Sequence, residues 1–327
     1  MTRILRFLGF GICLLLFACN STNVPSKTPK KLVLASDFLE RKDSTLFKGF
    51  KTKTGIRIVI VPMTVDSILK HQEAFGYNSK IDMVLMKSLY GINQLAEKKQ
   101  LHPFDSYEEM QVKEYRSIDN DWVAFGIDPY VIAGVADNQE FQYNELTYGE
   151  RWEKHLIPTE LKSFQAAVLY QFGRNNREKS LKWLEKLDSQ STTLNDSLTK
   201  ASYYLTKLSD AIATKKSYCY PNQSKKFGVF YDAVSFGIIR HGSNAMFANE
   251  FANYHLNLVH SQVLCNQLNI LPTIDPKGNS SYDYQNKYPL LFRCTPSETV
   301  LQFRDLQRLQ TRLEQGTKKP RLSNEAL

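Results

Sequence analysis

Strand-like and helix-like patterns of apolar residues alternate through the first third of the chain. Residues 31–36 form a short apolar run that ends in a polar turn, and residues 56–61 are rich in β-branched side chains, so both are predicted strands. An amphipathic helix is predicted between them and ends at Gly55. A third short strand is predicted over 81–85. This alternation predicts an α/β fold with a mostly parallel sheet covered by helices.

The N-terminal residues have the pattern of a secretory signal. Two arginines precede an apolar run over 7–18 that is too short to span a bilayer. The run ends in Leu16-Phe17-Ala18-Cys19, which resembles the bacterial lipobox. The resemblance implies that 1–18 is a lipoprotein signal peptide and that a lipid is attached to the sulfur of Cys19; an ordinary signal peptide with a chance cysteine is the alternative. Residues 19–30 are predicted to be an extended tether, and which membrane holds the anchor stays open.

The C-terminal region, 300–327, is predicted to be a helix followed by a tail. Its apolar residues repeat at helical spacing, and Gly316 is predicted to end the helix. The apolar residues of this stripe are Val300, Phe303, Leu306, Leu309 and Leu313.

Cysteine usage is compatible with an oxidising compartment. Removal of the signal and acylation of Cys19 would leave Cys219, Cys265 and Cys294, which allow one disulfide and one odd thiol. The sequence does not choose among the three pairings. No Cys-x-x-Cys occurs, which argues against redox catalysis and a zinc knuckle.

Composition and missing motifs exclude several classes of protein. Apolar residues make up 42% and charged residues 23%, which excludes a multi-span membrane protein and a disordered chain. The net charge of +9 favours anionic partners, but the basic residues are scattered, so we expect no nucleic-acid partner. The sequence has no nucleophile elbow, Walker loop or His-Glu-x-x-His, and its six histidines are dispersed. We therefore expect a protein that is not an enzyme.

A series of short phrases follows one another in an order typical of one family. They are Lys53-Thr54-Gly55-Ile56, residues 78–84, residues 95–105, residues 121–126 with 130–132, residues 228–234, residues 244–256 and Leu271-Pro272. Over about 32–275 the chain resembles the extracellular solute-binding proteins, family 1, of bacterial ABC importers, which have the type II periplasmic-binding-protein fold.

This resemblance implies two α/β lobes, each a mostly parallel sheet flanked by helices, joined by crossing strands. It places lobe 1 at 31–128 plus part of 233–300, and lobe 2 at 129–232. The ligand would lie in the cleft between the lobes, and hinge closure is the expected motion. The resemblance further implies a periplasmic monomer that delivers its solute to an ABC permease in the inner membrane.

A tandem tyrosine pair resembles the ferric-iron-binding branch of the same family. Tyr203 and Tyr204 follow a small and a hydroxyl residue, and an aromatic-Pro-Asn-Gln turn follows at 220–223. The resemblance implies that both phenolates coordinate Fe(III), with or without a synergistic anion. Fe(III) prefers anionic oxygen ligands, and its binding expels the phenol proton. Because an apolar helical stripe continues through 198–212, the alternative is that the pair lies on a helix at the edge of a core.

Two further residues are candidate iron ligands, although the first-lobe ligands usual in the family are missing. Asp37 follows the first strand and supplies a carboxylate, or else caps the next helix. Tyr130 follows Pro129 and supplies a third phenolate, or else marks a turn. The family's tyrosine after the first crossing strand aligns with Ala133 or Gly134 and is absent.

Three functions therefore remain open. The first is capture of ferric iron or a ferric chelate for an ABC importer. The second keeps the fold and binds a small anionic organic solute. The third is a lipid-anchored scaffold or sensor without transport function.

Overall fold

The computed structural model describes residues 30–104, 115–135, 140–147, 152–154, 158–193, 203–223, 228–273, 291–292 and 294–317. The predicted signal peptide, Cys19, most of the tether and the end of the C-terminal tail lie outside these residues. None of the helices in the described ranges is long and apolar enough to cross a membrane.

The first part of the chain builds a small parallel sheet. Its elements are β1 (Lys31–Ser36), a 3₁₀ helix (Arg41–Phe47), α1 (Lys48–Thr54), β2 (Arg57–Pro62), α2 (Val65–Phe75), a 3₁₀ turn (Gly76–Asn78), β3 (Met83–Met86), α3 (Leu89–Glu97) and β4 (Leu101–His102). As predicted, the first helix ends at Gly55, whose φ of 73° is a left-handed conformation that glycine adopts without strain.

The remaining elements form the crossing strands and the second part of the fold. They are β5 (Trp122–Ala133), a 3₁₀ helix (Tyr143–Thr147), β6 (Trp152–Lys154), α4 (Pro158–Gln190), β7 (Ser191–Thr193), β8 (Tyr204–Lys207), α5 (Leu208–Ala213), β9 (Tyr218–Cys219), β10 (Tyr231–Ile239), α6 (Ala245–Leu256), α7 (Leu258–Leu268), β11 (Leu271–Pro272) and α8 (Pro296–Thr317). Helix α8 continues to Thr317, one residue past the end predicted at Gly316.

The strands form one continuous sheet in the order β2-β1-β3-β10-β5-β8-β6-β7. The parallel pairs are β1 with β2 and β3, and β6 with β7 and β8. Every antiparallel pair among the described strands includes β5 or β10. The fold is therefore α/β, with two parallel parts of this sheet joined by two antiparallel crossing strands, as the family resemblance implies.

Strand β5 is continuous through Pro129, so the turn considered there is absent. All 12 residues of β5 are buried. Pro129 pairs with Tyr231 of β10, and the Tyr130 amide donates to the Phe230 carbonyl at 2.8 Å. The strand tolerates this proline because the hydrogen-bond ladder resumes at the next residue.

The three cysteines in the described residues, Cys219, Cys265 and Cys294, are free thiols. The single disulfide considered from the sequence is therefore not formed among them. Burial raises the pKa of Cys265 to about 12 and that of Cys219 to about 11. Both thiols are consequently protonated and poorly nucleophilic at neutral pH.

The core of the first lobe encloses a histidine and makes its stability pH-dependent. His255 is buried among aromatic rings, and its Nδ1 lies 3.0 Å from the Phe251 carbonyl oxygen, an acceptor. Burial lowers the pKa of His255 to about 3 from the usual 6.5. Because the unfolded chain binds this proton more readily, the stabilisation is complete above pH 6.5 and is lost as the pH falls toward 3.

We therefore expect His255→Gln to flatten the acid limb of the stability curve. Between pH 6 and pH 4, the unfolded chain binds one proton at His255 that the folded chain does not bind. The free energy of unfolding therefore falls by about 1.4 kcal/mol for each pH unit. Glutamine keeps a donor for the Phe251 carbonyl but does not titrate in this range. Urea unfolding at several pH values measures the difference, and parallel curves for the two proteins would contradict the assignment.

Candidate functional site

Charged residues from both lobes converge where the crossing strands meet the ends of β3 and β8. Lys87 follows β3, Lys207 ends β8 and Asp210 lies in α5. The crossing strands supply Asp128 from β5 and Asp232 from β10. Lys207, Asp128 and Asp232 are fully buried, so each requires a compensating partner.

The deepest part of this network is an ion pair between Lys207 and Asp232. Their Nζ and Oδ2 atoms lie 3.0 Å apart, and both side chains are shielded from solvent. The other donors to the Asp232 carboxylate include the Tyr130 hydroxyl at 3.2 Å and the Leu89 amide at 2.8 Å. Lys207 also donates to the Lys87 carbonyl at 3.0 Å, which joins β8 to the loop after β3.

Asp128 is held by α5 on one side and by a lysine on the other. Its two carboxylate oxygens accept from the Ser209 amide at 3.0 Å and from the Ser209 hydroxyl at 2.5 Å. The Lys87 ammonium lies 3.6 Å from Oδ2. Desolvation nevertheless raises the pKa of Asp128, opposed by the charges of Lys87 and Lys207 and by the Ser209 hydrogen bonds.

Lys87 also contacts Asp210 at a partly exposed edge of the network. Its Nζ donates to Oδ1 of Asp210 at 2.8 Å, and the Asp210 side chain is 33% exposed. Since Lys87 follows β3 and Asp210 lies in α5, this ion pair spans the junction between the lobes. The Lys87 amide donates to Oδ1 of Asp37 at 2.9 Å, so Asp37 borders the same site.

The site carries more carboxylates than ammonium groups. Lys87 and Lys207 contribute two positive charges, whereas four aspartates lie within hydrogen-bond or ion-pair contact of these two residues. The aspartates are Asp37, Asp128, Asp210 and Asp232. The local balance is thus acidic although the chain has a net charge of +9, and it favours a positively charged ligand over an anionic one.

Tyr204 lies on a strand and Tyr203 directly precedes it, so neither lies on the predicted helix. Tyr204 is the first residue of β8, and helix begins only at Leu208. Tyr203 packs against Phe141 in one apolar cluster, and Tyr204 packs in another, with Ala133 and Leu208. Alternation along a strand explains why adjacent side chains face opposite ways.

The four predicted iron ligands therefore lie in different surroundings, some in apolar clusters and one exposed beside Lys87. Tyr130 is buried in the cluster that includes Tyr203, and its hydroxyl donates to Asp232. Tyr203 and Tyr204 lie three to four residues before Lys207, which is about 10–13 Å along a strand. Asp37 is exposed beside Lys87 and does not cap the next helix, whose N-cap is Glu40. The metal-ligand role of these residues stays a prediction.

A set of tyrosines surrounds the crossing strands on the side that includes Tyr204. The other members of this cluster are Tyr115, Tyr218, Tyr220 and Tyr231. The Tyr218 and Tyr220 rings are 5.6 Å apart, and burial raises the pKa of Tyr220 above its ordinary value. Within the described ranges, no group of three or more His, Cys, Asp or Glu residues is placed to hold a metal ion.

Sequence reasoning missed Lys87, Lys207, Asp128, Asp210 and Asp232 as site residues. A signal for two of them is present, because Asp128 and Asp232 interrupt strongly apolar strands, where an isolated charge requires a partner. No local pattern marks Lys87, which lies 123 residues from its partner Asp210.

Comparison with known proteins identifies the fold. No protein-family model matches the chain, and no curated protein sequence is similar to it. Solved structures do match, at low sequence identity. The FutA (IdiA) protein of Trichodesmium in complex with iron and citrate has a TM-score of 0.69 and 16% identity, over 86% of this chain and 99% of that one.

Two further solved structures also match this chain over most of its length. The ferric binding protein from Campylobacter jejuni has a TM-score of 0.71 and 15% identity, over 86% of this chain and 99% of that one. Iron-bound HitA from Pseudomonas aeruginosa has a TM-score of 0.66 and 16% identity, with the same coverage. The chain therefore has the two-lobed α/β fold of periplasmic binding proteins.

Proposed function

We propose that this chain is the solute-binding protein of an ABC importer and that it holds a positively charged solute where Lys87 and Asp210 meet. The observation that supports this most is the position of the charged network. It joins residues of both lobes at the crossing strands, so a ligand there would change how the lobes are held together. Because the site has more carboxylates than ammonium groups, we expect such a ligand to be positively charged.

Ferric iron, supplied as ferric citrate, is the first solute to test. The structural neighbours include iron-bound proteins, and Fe(III) prefers the anionic oxygens that Asp37 and Asp210 offer. We add Asp210 to the predicted ligands and keep Asp37. The phenols of Tyr203, Tyr204 and Tyr130 are further ligands to be tested, with or without a synergistic anion.

The cellular setting is part of the same proposal. A periplasmic protein anchored through Cys19 would release its solute to a permease in the inner membrane. The acidic balance of the site argues against the anionic organic solute considered from the sequence. A scaffold or sensor would need no ligand at the cleft, so ligand binding separates it from the transport function.

Ferric citrate added to the protein should produce a visible phenolate-to-iron absorption band if a tyrosine joins the iron. Tyr204 shares an apolar cluster with α5, the helix that bears Asp210, whereas Tyr203 packs in the other cluster. We therefore expect Tyr204→Phe to weaken the band and Tyr203→Phe to leave it unchanged. Each substitution removes one oxygen and little volume, so the two variants are matched.

Calorimetric titration with the same ferric citrate completes the test. Heat of binding without a visible band would assign the iron to carboxylates alone. If the titration gives no heat of binding and no absorption band, ferric iron is excluded as the ligand. If Tyr203→Phe abolished the band and Tyr204→Phe left it intact, the prediction that Tyr204 is the tyrosine that joins the iron would be wrong.

A further inference from the structure

The two ends of the parallel strands in the first lobe differ in their surroundings. Asp37 follows β1 and Lys87 follows β3, so these strands end at the charged network. Their first residues lie at the opposite end of the sheet, where β1 and β2 are in register from Lys31 and Arg57 onward. Four exposed basic residues lie at this end, which we call the basal face. They are Lys30, Lys31, Arg57 and Lys80.

The basal face carries an excess of positive charge. None of its four basic residues forms an ion pair with a residue that the structure describes. The buried Asp82 carboxylate, just before β3, accepts instead from the Val33 amide at 2.8 Å and from the Asn244 amide at 3.0 Å. Glu73, near the end of α2, is the exposed acidic residue closest to Lys80 in sequence. Four cations against these two carboxylates favour an anionic partner.

Exposed apolar side chains lie beside these cations. The Tyr77 side chain, in the turn after α2, is 86% exposed, and its ring lies 4.1 Å from the His241 ring. Met246, in the first turn of α6, is 73% exposed. The Lys30 Nζ atom lies 5.8 Å from the centroid of the neighbouring Phe247 ring, a cation–π distance. Cations mixed with exposed aromatic and apolar side chains are typical of surfaces that lie in a membrane interface.

The predicted lipid anchor is connected to the same face. Lys30 immediately precedes β1, so the N-terminal segment enters the lobe at the basal face. After cleavage before Cys19, residues 19–29 would link the lipid to Lys30. These 11 residues span at most about 40 Å when fully extended. The anchor would therefore keep the basal face close to the bilayer.

The charge and the anchor together restrict what this face contacts. A second copy of the chain, basal face to basal face, would bring two sets of cations together, which is unfavourable. An acidic protein would satisfy the cations, but nothing in the chain would hold it at this face. An anionic lipid surface satisfies the cations, accepts the exposed apolar side chains and is held beside this face by the anchor.

We propose that the basal face of the first lobe lies against an anionic lipid surface. The four basic residues would contact lipid headgroups, and Tyr77 and Met246 would enter the interface. This inference rests on the proposed attachment through Cys19 and is independent of which solute is bound. Since the charged network is at the other end of β1 and β3, this orientation directs the solute site away from the bilayer.

Acetylation of lysines in the full chain, reconstituted into vesicles without iron, tests the proposal. The vesicles are phosphatidylcholine with or without phosphatidylglycerol, the reagent is the uncharged N-hydroxysuccinimidyl acetate, and mass spectrometry measures the rate at each lysine. The lysines of the basal face are Lys30, Lys31 and Lys80, and the exposed control lysines are Lys48, Lys70 and Lys216. Phosphatidylglycerol should slow acetylation at the basal face at least about threefold and leave the controls unchanged. About 1 M sodium chloride should abolish the difference.

Charge-reversed variants locate the contact. Arg57→Glu/Lys80→Glu changes the basal face and leaves Lys30 and Lys31 as reporters, and Lys48→Glu/Lys70→Glu makes the same change of net charge elsewhere. Only the first variant should lose the protection by phosphatidylglycerol, and circular dichroism checks that both are folded.

Three results would overturn the proposal. Equal acetylation of the basal lysines in both kinds of vesicle would leave an acidic protein as the occupant of this face. Protection in phosphatidylcholine alone that grows with protein density would assign the face to a second copy. Protection that both variants lose, or that both keep, would place the contact elsewhere. Mass spectrometry of the N-terminal peptide shows separately whether Cys19 carries a lipid, so failure of the anchor is distinguishable from failure of the basal face.

Discussion

Lys207→Met is expected to lower the free energy of unfolding by about 3–5 kcal/mol. The substitution removes the ammonium group that lies 3.0 Å from Asp232, while both side chains are fully buried. A carboxylate is then left without a counter-charge in a medium that solvates it poorly. The Tyr130 hydroxyl and the Leu89 amide still donate to it but carry no net charge.

Two comparisons separate this cause from lost packing. Lys216→Met alters an exposed lysine and should change stability by less than about 0.5 kcal/mol. Lys207→Met/Asp232→Asn removes the stranded charge and should recover part of the loss seen in the single variant. Urea unfolding measures all three. A single-variant loss below about 1 kcal/mol, or a double variant less stable than the single one, would contradict the role of the pair.

The second prediction concerns the ion pair between the lobes. If the ligand is positively charged, the Lys87 ammonium competes with it for the Asp210 carboxylate. Lys87→Met should then raise the affinity for the ligand, and Asp210→Asn should lower it. We expect each shift to be about tenfold or more, which corresponds to roughly 1.4 kcal/mol. We do not expect a much larger shift, because the Asp210 side chain is 33% exposed and solvent therefore screens its Coulomb interactions.

A purely structural role for this ion pair predicts a different pattern. If Lys87 and Asp210 only hold the lobes together, removing either charge breaks the same contact. Both variants would then shift ligand affinity in the same direction. The direction of the two shifts thus distinguishes a ligand site from a structural link between the lobes.

Local patterns in the sequence were sufficient for the first strands and the first helix of the first lobe. The strand predicted over 31–36 is β1, and the helix predicted before Gly55 is α1. These elements depend on apolar spacing and a glycine cap, which act within a few residues. The order of the family phrases supplied the two-lobed architecture, which no single pattern could give.

The site could not be predicted from local patterns, because distant partners determine it. Tyr204 joins β8 because β5 and β6 provide strand partners on both sides, which overrides the helical spacing of the residues around it. Lys207 and Asp232 are 25 residues apart, and Lys87 and Asp210 are 123 apart. Their meeting depends on how the crossing strands join the lobes.

The most direct test of the central claim is calorimetric titration of ferric citrate into the wild type, Lys87→Met and Asp210→Asn. Asp66→Asn, which changes an exposed aspartate outside the site, is the matched control. A positively charged solute bound between the lobes predicts tighter binding by Lys87→Met, weaker binding by Asp210→Asn and no change in the control. Absence of binding to the wild type, or a shift of both variants in the same direction, would contradict it.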